Sequence, residues 1–178
     1  MSQGIEVDGL LAVNDNLTIG ASVGYLQAEY KEFNVSCPLN ALEAAKVDCV
    51  EIDGELQQSL SGFQIENAPK LTGTMFAEYF TTISDMNAGV RLDANYKDDI
   101  TLSTSQDSHL TEDAYTKVNI NFTLTSAEDT WSASLGVFNL TDEQPITFGG
   151  ETAFVPGLYY VGTERGREIK ASATYYWF

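Results

Sequence analysis

Apolar and polar residues alternate along most of this chain. The clearest segment runs from Met86 to Lys97, where every even position is apolar or aromatic and every odd position is polar or glycine. A repeat of two residues predicts a β-strand with one apolar and one polar face, because a helix would repeat about every 3.6 residues.

The same alternation recurs in six other segments, so we predict seven strands in all. The six are residues 5–13, 17–25, 71–80, 118–124, 131–137 and 169–177. The fold class is therefore predicted as all-β.

The connections between these segments alternate between short and long. Residues 14–16, 84–85 and 127–129 are rich in Asn, Asp and Ser, which favour tight turns. The long connections are residues 34–70, 101–112 and 141–163. An up-and-down meander with turns at one end and long loops at the other is the organisation of outer-membrane β-barrels.

The strands of a soluble β-sandwich would also alternate apolar and polar residues. Strand length and aromatic placement favour a membrane barrel instead. The predicted strands run to about ten residues, enough to span a bilayer, whereas soluble strands usually have about five or six. Aromatic residues near strand ends predict an interfacial girdle, with closure of the ends of a soluble core as the alternative. They include Tyr25, Phe76, Tyr79, Phe80, Tyr96, Tyr115, Trp131 and Tyr175.

The polar face of the strands carries charged and amide residues at mid-strand, including Glu78, Arg91, Asp93, Lys117 and Asn119. A soluble barrel that carries a hydrophobic ligand would have an apolar inner face. The pattern therefore predicts a polar lumen that faces water or a plug, with lipid on the apolar side. A sheet with one solvated face is the alternative.

Composition narrows the function classes. The 178 residues include 9 Lys+Arg and 26 Asp+Glu, giving a net charge of −17, which argues against nucleic acid as a partner because phosphate contacts require clustered basic residues. The chain has one histidine and no recognisable arrangement of nucleophile and base. We predict that it is not an enzyme and has no catalytic residue, cofactor or metal site.

Five short motifs follow one another along the chain. They are Tyr-Leu-Gln-Ala-Glu-Tyr at 25–30, Asn-Ala-Pro-Lys at 67–70, Val-Phe-Asn-Leu-Thr-Asp-Glu at 137–143, Arg-Gly-Arg at 165–167 and the final Tyr-Trp-Phe. Their order and spacing resemble the C-terminal part of the barrel of TonB-dependent outer-membrane receptors, although Thr141 stands where that family usually has Phe. The resemblance covers nearly the whole chain.

The resemblance implies that residues 1–178 are an antiparallel up-and-down meander of about seven long strands within a transmembrane β-barrel. Receptors of this kind have about 22 strands, so the plug domain and earlier strands are expected outside this segment. The implied function is TonB-dependent uptake of a scarce nutrient, such as a ferric siderophore, across the bacterial outer membrane. The alternative is a complete small eight-stranded barrel with a structural or adhesion role.

The resemblance also implies partners. They are outer-membrane lipid, a small-molecule or metal-chelate ligand at the external loops, the TonB complex and plug through the N-terminal part, and the barrel-assembly machinery. Tyr176 and Phe178 match the aromatic positions of the family's C-terminal assembly signal. The preceding alternate positions of the same strand, Lys170, Ser172 and Thr174, are polar.

The longest loop contains both cysteines, Cys37 and Cys49. In an oxidising compartment this placement predicts a disulfide that closes the loop, with two free thiols or a metal site as the alternatives. The segment 41–47 between them is a candidate helical turn. The acidic residues around the connection 101–112, among them Asp107, are expected to be solvated, with a calcium site as the alternative. His109 is expected to face water, with contact to a ligand as the alternative.

Overall fold

The computed structural model describes residues 1–37, 49–153, 155 and 157–177, which form fourteen strands and one 3₁₀ helix, Ser108–Leu110. The candidate helical turn at 41–47 lies outside the described residues. The strands are β1 (Ser2–Ala12), β2 (Leu17–Ala28), β3 (Asn34–Ser36), β4 (Val50–Ile52), β5 (Glu55–Ser59), β6 (Leu71–Ile83), β7 (Met86–Lys97), β8 (Ile100–Thr101), β9 (Thr111–Glu112), β10 (Tyr115–Thr125), β11 (Trp131–Phe138), β12 (Ile146–Glu151), β13 (Tyr159–Thr163) and β14 (Glu168–Tyr175).

Seven long strands form the main sheet, in the order β1-β2-β6-β7-β10-β11-β14. Every neighbouring pair is antiparallel, and the seven strands are those predicted from the alternation. The prediction of an all-β antiparallel meander is therefore confirmed. Within the described residues the sheet is open, with β1 and β14 at its edges.

The register places the polar residues of neighbouring strands on one face of the main sheet. Glu78 on β6 lies opposite Arg91 on β7, and Asn95 on β7 lies opposite Lys117 on β10. Directly opposite residues share a face in an antiparallel pair. The other face is apolar and largely exposed, with Ile5 at 69% and Met75 at 57% exposure, which is typical of a surface that another apolar phase covers.

The short connections are tight turns, as predicted. Ser84 and Asp85 have φ angles of 49° and 67°, the left-handed pair of a two-residue type I′ hairpin between β6 and β7. At the β1–β2 turn the Asn14 Oδ1 accepts hydrogen bonds of 2.9 Å from the N–H groups of Asn16 and Leu17. These contacts explain the Asn, Asp and Ser content of the turns.

The predicted aromatic girdle is wrong for Phe76, Phe80 and Tyr115, which lie on the polar face. Phe76 is directly opposite Gly20, and Phe80 is directly opposite Gly89. In both pairs the ring occupies the space that a glycine Cβ would fill, so these rings cover glycines across the strand pair. The apolar face keeps Tyr25, Tyr79, Tyr96, Trp131 and Tyr175.

The long connections contain short sheets of their own, which the sequence did not indicate. We name them the first long loop (residues 29–70), the second (98–114) and the third (139–167). They hold β3-β5-β4, β8-β9 and β12-β13, respectively. All three lie at the same end of the main sheet because each follows a strand that runs in the same direction.

The described residues include no helix of the length and apolarity needed to cross a bilayer.

Candidate functional site

The second and third long loops share a small apolar core. Ile100, Leu102 and Leu110 of the second loop are at most 8% exposed, and Ile146 and Tyr159 of the third loop pack against them. The main sheet buries far fewer apolar side chains than the loops do, because its apolar face is exposed. The loops are therefore held together by their own hydrophobic contacts.

Asp107 is the centre of the polar contacts in this loop core. Its Oδ2 accepts a 2.7 Å hydrogen bond from the Tyr159 hydroxyl. Its Oδ1 accepts a 2.9 Å bond from the His109 N–H and lies 2.9 Å from His109 Nδ1. The residue is only 2% exposed, so the expectation of a solvated charge is wrong for Asp107, whose oxygens are bonded within the protein.

The carboxylate form of Asp107 is favoured. Burial by itself raises the pKa of this carboxyl, but hydrogen bonds from the His109 N–H, the Tyr159 hydroxyl and the His109 ring together lower the pKa below its usual value. The His109 ring stacks on the Tyr159 ring with centroids 5.0 Å apart. The expectation that His109 only faces water is therefore corrected, although its side chain is 63% exposed.

Hydrogen bonds attach the first long loop to the second. Gln58 is fully buried, and its Nε2 donates a 2.9 Å bond to the Thr104 carbonyl. The Asn67 N–H donates a 3.0 Å bond to the Thr101 carbonyl. The three long loops thus form one connected cluster at the end of the sheet.

The first long loop also has a partly buried phenol at its base. The Tyr30 hydroxyl donates a 2.7 Å hydrogen bond to the Glu66 carboxylate, and its ring stacks on Phe33 with centroids 4.8 Å apart. Burial, with the hydrogen bond and the charge of Glu66, raises the pKa of Tyr30 to about 12. The phenol therefore stays protonated and acts as a hydrogen-bond donor in this contact.

Asn139 joins two of the sequence motifs at the base of the third long loop. Its Nδ2 donates to the carbonyls of Glu143 at 2.6 Å and Arg165 at 3.2 Å. Nearby, the Asp142 Oδ1 accepts a 2.7 Å bond from the Arg167 N–H. The motifs at 137–143 and 165–167 therefore form one structural unit that closes the third loop.

Beside this unit a cleft of about 610 Å³ opens on the polar face. Lys117 forms an ion pair with Glu164, and Arg165 Nη1 lies 3.3 Å from Glu168 Oε1. Both basic side chains in the cleft are thus paired with carboxylates. The cleft offers amide and charged groups for hydrogen bonding, from Asn95, Lys117, Asn119, Asn139, Arg165 and Glu168.

The residues singled out from the sequence lie apart from this cleft. Cys37 and Cys49 are joined by a disulfide in the first long loop, with Cα atoms 6.1 Å apart. Tyr176 is 48% exposed and its N–H donates a 2.9 Å bond to the Thr130 carbonyl at the turn end of the sheet. Phe178 lies outside the described residues. Among the described residues, no group of three or more His, Cys, Asp or Glu is placed to hold a metal ion.

The fold matches a section of the barrel in several solved receptors. No protein-family profile and no characterised protein sequence matches the chain. Solved structures do match it. One is the ferric yersiniabactin uptake receptor FyuA from Yersinia pestis, with a TM-score of 0.72 and 13% identity over 97% of this chain and 23% of that one.

Two receptors from Acinetobacter baumannii also share the fold. The siderophore receptor PiuA matches with a TM-score of 0.63 and 19% identity, over 97% of this chain and 21% of that one. BauA, the ferric preacinetobactin receptor, matches with a TM-score of 0.50 and 10% identity, over 98% of this chain and 29% of that one. The chain thus spans between a fifth and a third of each receptor's length. The resemblance to TonB-dependent receptors that the motifs carry is confirmed for the fold.

Proposed function

We propose that residues 1–178 form the C-terminal segment of the barrel of a TonB-dependent outer-membrane receptor that takes up a ferric siderophore. The observation that carries this proposal is the match of the seven-stranded meander and its loops to FyuA over 97% of the chain. The plug domain and the earlier strands belong, in this proposal, to other parts of the receptor.

The two faces of the main sheet support this assignment. The apolar face, with residues such as Leu92 and Phe122 nearly half exposed, would contact outer-membrane lipid. The polar face, with Arg91 paired to Asp93 at 2.8 Å, would line a lumen that contains water and the plug. Charged side chains on a lipid-facing surface would be costly, and the register keeps these on the other side.

The connected loops support a role in capturing ligand. Binding loops bind more tightly when they are held in place before the ligand arrives, and the loop core and the Asp107 contacts hold these loops together. In this proposal the loops contact the metal chelate outside the cell, and the TonB complex acts through the plug. Tyr176 and Phe178 would contact the barrel-assembly machinery during insertion.

Uptake of iron chelates tests this function directly. A strain that lacks the gene should take up less radioactive iron from the receptor's siderophore and grow poorly when iron is limiting, and the intact gene should restore both. Removal of TonB should have the same effect as removal of the gene. Undiminished uptake of every siderophore offered to the deletion strain would contradict the proposal.

The size of the protein in the outer membrane separates this function from the eight-stranded alternative. A receptor should migrate as a heat-modifiable band several times larger than the 19.5 kDa of this chain. A mature protein of about that mass, without any uptake defect on deletion, would favour the small structural or adhesion barrel.

A further inference from the structure

The hairpin β12–β13 in the third long loop has one face that packs on the loop core. On this face Tyr159 bonds Asp107 and stacks on His109. Gly149 lies beside Leu110, because a Cβ built on Gly149 would be 3.0 Å from the Leu110 side chain. The hairpin is therefore held in a fixed position above the end of the sheet.

The opposite face of the hairpin presents two aromatic rings. Phe148 pairs with Gly162, and Tyr160 pairs with Gly150, so all four residues share this face. Each ring occupies the space above its partner glycine. Phe148 is nonetheless 61% exposed and Tyr160 55% exposed. We call Phe148 and Tyr160 the aromatic platform.

Three features distinguish the aromatic platform from scattered surface aromatics. The rings are diagonal neighbours across one strand pair, where Cα atoms are about 7–8 Å apart. The glycines let the rings lie close to the backbone, so their outer sides stay open. The opposite face of the same hairpin is anchored by Tyr159, so the hairpin backbone has little freedom left to lose when a ligand binds.

We infer that the aromatic platform binds a planar aromatic ring of the ligand, by stacking on Phe148, Tyr160 or both. This inference rests on the proposed function and names the part of the chelate that these loops recognise. Stacking on an open aromatic side chain is favourable and needs no particular hydrogen-bond pattern. A phenol, catechol or aromatic heterocycle has the size and shape to stack there.

The charge around the hairpin indicates which rings are favoured. The second long loop, which packs under the hairpin, contains Asp98, Asp99, Asp107, Glu112 and Asp113 and neither Lys nor Arg. Aromatic faces and nearby carboxylates both attract cations and repel anions. The aromatic platform should therefore prefer a neutral or cationic ring to an anionic one.

Three single-ring probes that differ mainly in charge test this preference. Saturation-transfer NMR on the full-length protein in detergent micelles would measure binding of dopamine, catechol and 2,3-dihydroxybenzoate, which are cationic, neutral and anionic. We expect affinity to fall in that order. Tightest binding of the anion, or binding of none of the three, would overturn the inference.

Variants locate the binding on the hairpin. The double variant Phe148→Leu, Tyr160→Leu keeps apolar cover over the glycines but removes both aromatic faces, and should weaken dopamine binding about tenfold. Leu158→Ala, at a half-exposed aliphatic residue between β12 and β13, should leave dopamine binding unchanged. Equal binding by all three proteins would mean that the rings only cover their glycines.

The uptake assay keeps this inference separate from the proposed function. If the double variant transports iron normally and binds the probes as well as the parent protein does, the aromatic platform is not a ligand site but the receptor assignment stands. If the gene deletion itself leaves uptake unchanged, the receptor assignment fails whatever the probes show.

Discussion

The hydroxyl of Tyr159 and the buried carboxylate of Asp107 are joined by a 2.7 Å hydrogen bond across 52 positions of the chain. This contact links the third long loop to the second, above the strands that carry both loops. Because the carboxylate is charged and almost inaccessible, each of its donors matters more than a donor at the surface would.

Replacement of Tyr159 by Phe should loosen the two loops without unfolding the sheet. The change removes one hydrogen bond to a charged group, worth about 1.5–3 kcal/mol. Hydrogen exchange in residues 98–114 should therefore speed up by at least tenfold, while exchange in β6 and β7 should not change. Tyr160→Phe, which removes a hydroxyl from the exposed face of the same hairpin, is the matched control, and equal exchange in both variants would contradict this role.

The Asp107 contacts should fail at low pH. The pKa of the folded carboxyl lies below its usual value of 3.8, so its contribution to stability is complete above about pH 5 and is lost as the pH falls through the folded pKa. Protection of the second long loop from exchange should thus hold from pH 7 to pH 5 and drop below 3.8.

Asp107→Asn isolates this effect from the titration of other carboxylates. In the variant the second long loop should be less protected from exchange at every pH, because the amide carries no charge and cannot accept hydrogen bonds on both of its polar atoms. The difference in protection between the parent protein and the variant should shrink as the pH falls. A difference that stays constant down to pH 3 would show that the charge of Asp107 is unimportant.

Gly89→Ala should destabilise the main sheet. A Cβ at this position would be 2.7 Å from Phe80 Cε1 and from Thr123 Oγ1, so both neighbours must move, at a cost of about 1–3 kcal/mol. Urea unfolding of the full-length protein in liposomes would measure the loss. Gly9→Ala on β1, where a Cβ meets nothing within 4 Å, should change the stability little.

A second substitution tests whether the aromatic ring is the cause. Phe80→Ala in the Gly89→Ala background should recover part of the lost stability, because it removes one of the two clashes. A double variant as unstable as the sum of the two single variants would indicate that Phe80 and Gly89 act independently.

Such pairs show which parts of the fold the sequence could reveal. A strand of the main sheet repeats every two residues within its own sequence, so all seven were predictable from local pattern. Phe76 and Phe80 were misplaced because their role depends on Gly20 and Gly89 in neighbouring strands. Only the register between strands brings each ring and glycine together.

The structure of the loops could not be predicted from local sequence pattern either. Their strands are short, from two to six residues, and show too few alternations to be detected. The buried Asp107 accepts a hydrogen bond from Tyr159, and the buried Gln58 donates one to Thr104, both far away in sequence. The motifs at 137–143 and 165–167 did carry a signal, although the sequence alone did not show that they contact each other.

Reduction of the disulfide between Cys37 and Cys49 should affect only the first long loop. Closure of a loop of this length contributes roughly 2–3 kcal/mol against local opening, and both residues lie outside the main sheet. We expect faster proteolysis within residues 29–70 after reduction, with an unchanged heat-modifiable band. Thiol labelling of the unreduced protein under denaturing conditions would contradict the pairing.

Asn139→Ala should open the base of the third long loop. Asn139 is 7% exposed, has a φ of 55°, and donates to the carbonyls of Glu143 and Arg165. Alanine loses these bonds and tolerates the left-handed conformation poorly, so we expect a loss of about 2–4 kcal/mol in urea unfolding. Asn139→Gly separates the two causes, because glycine accepts the backbone conformation but makes no side-chain bond. If both variants lose the same stability, the side-chain bonds account for the effect; if Asn139→Gly is as stable as the parent protein, these bonds do not hold the two motifs together.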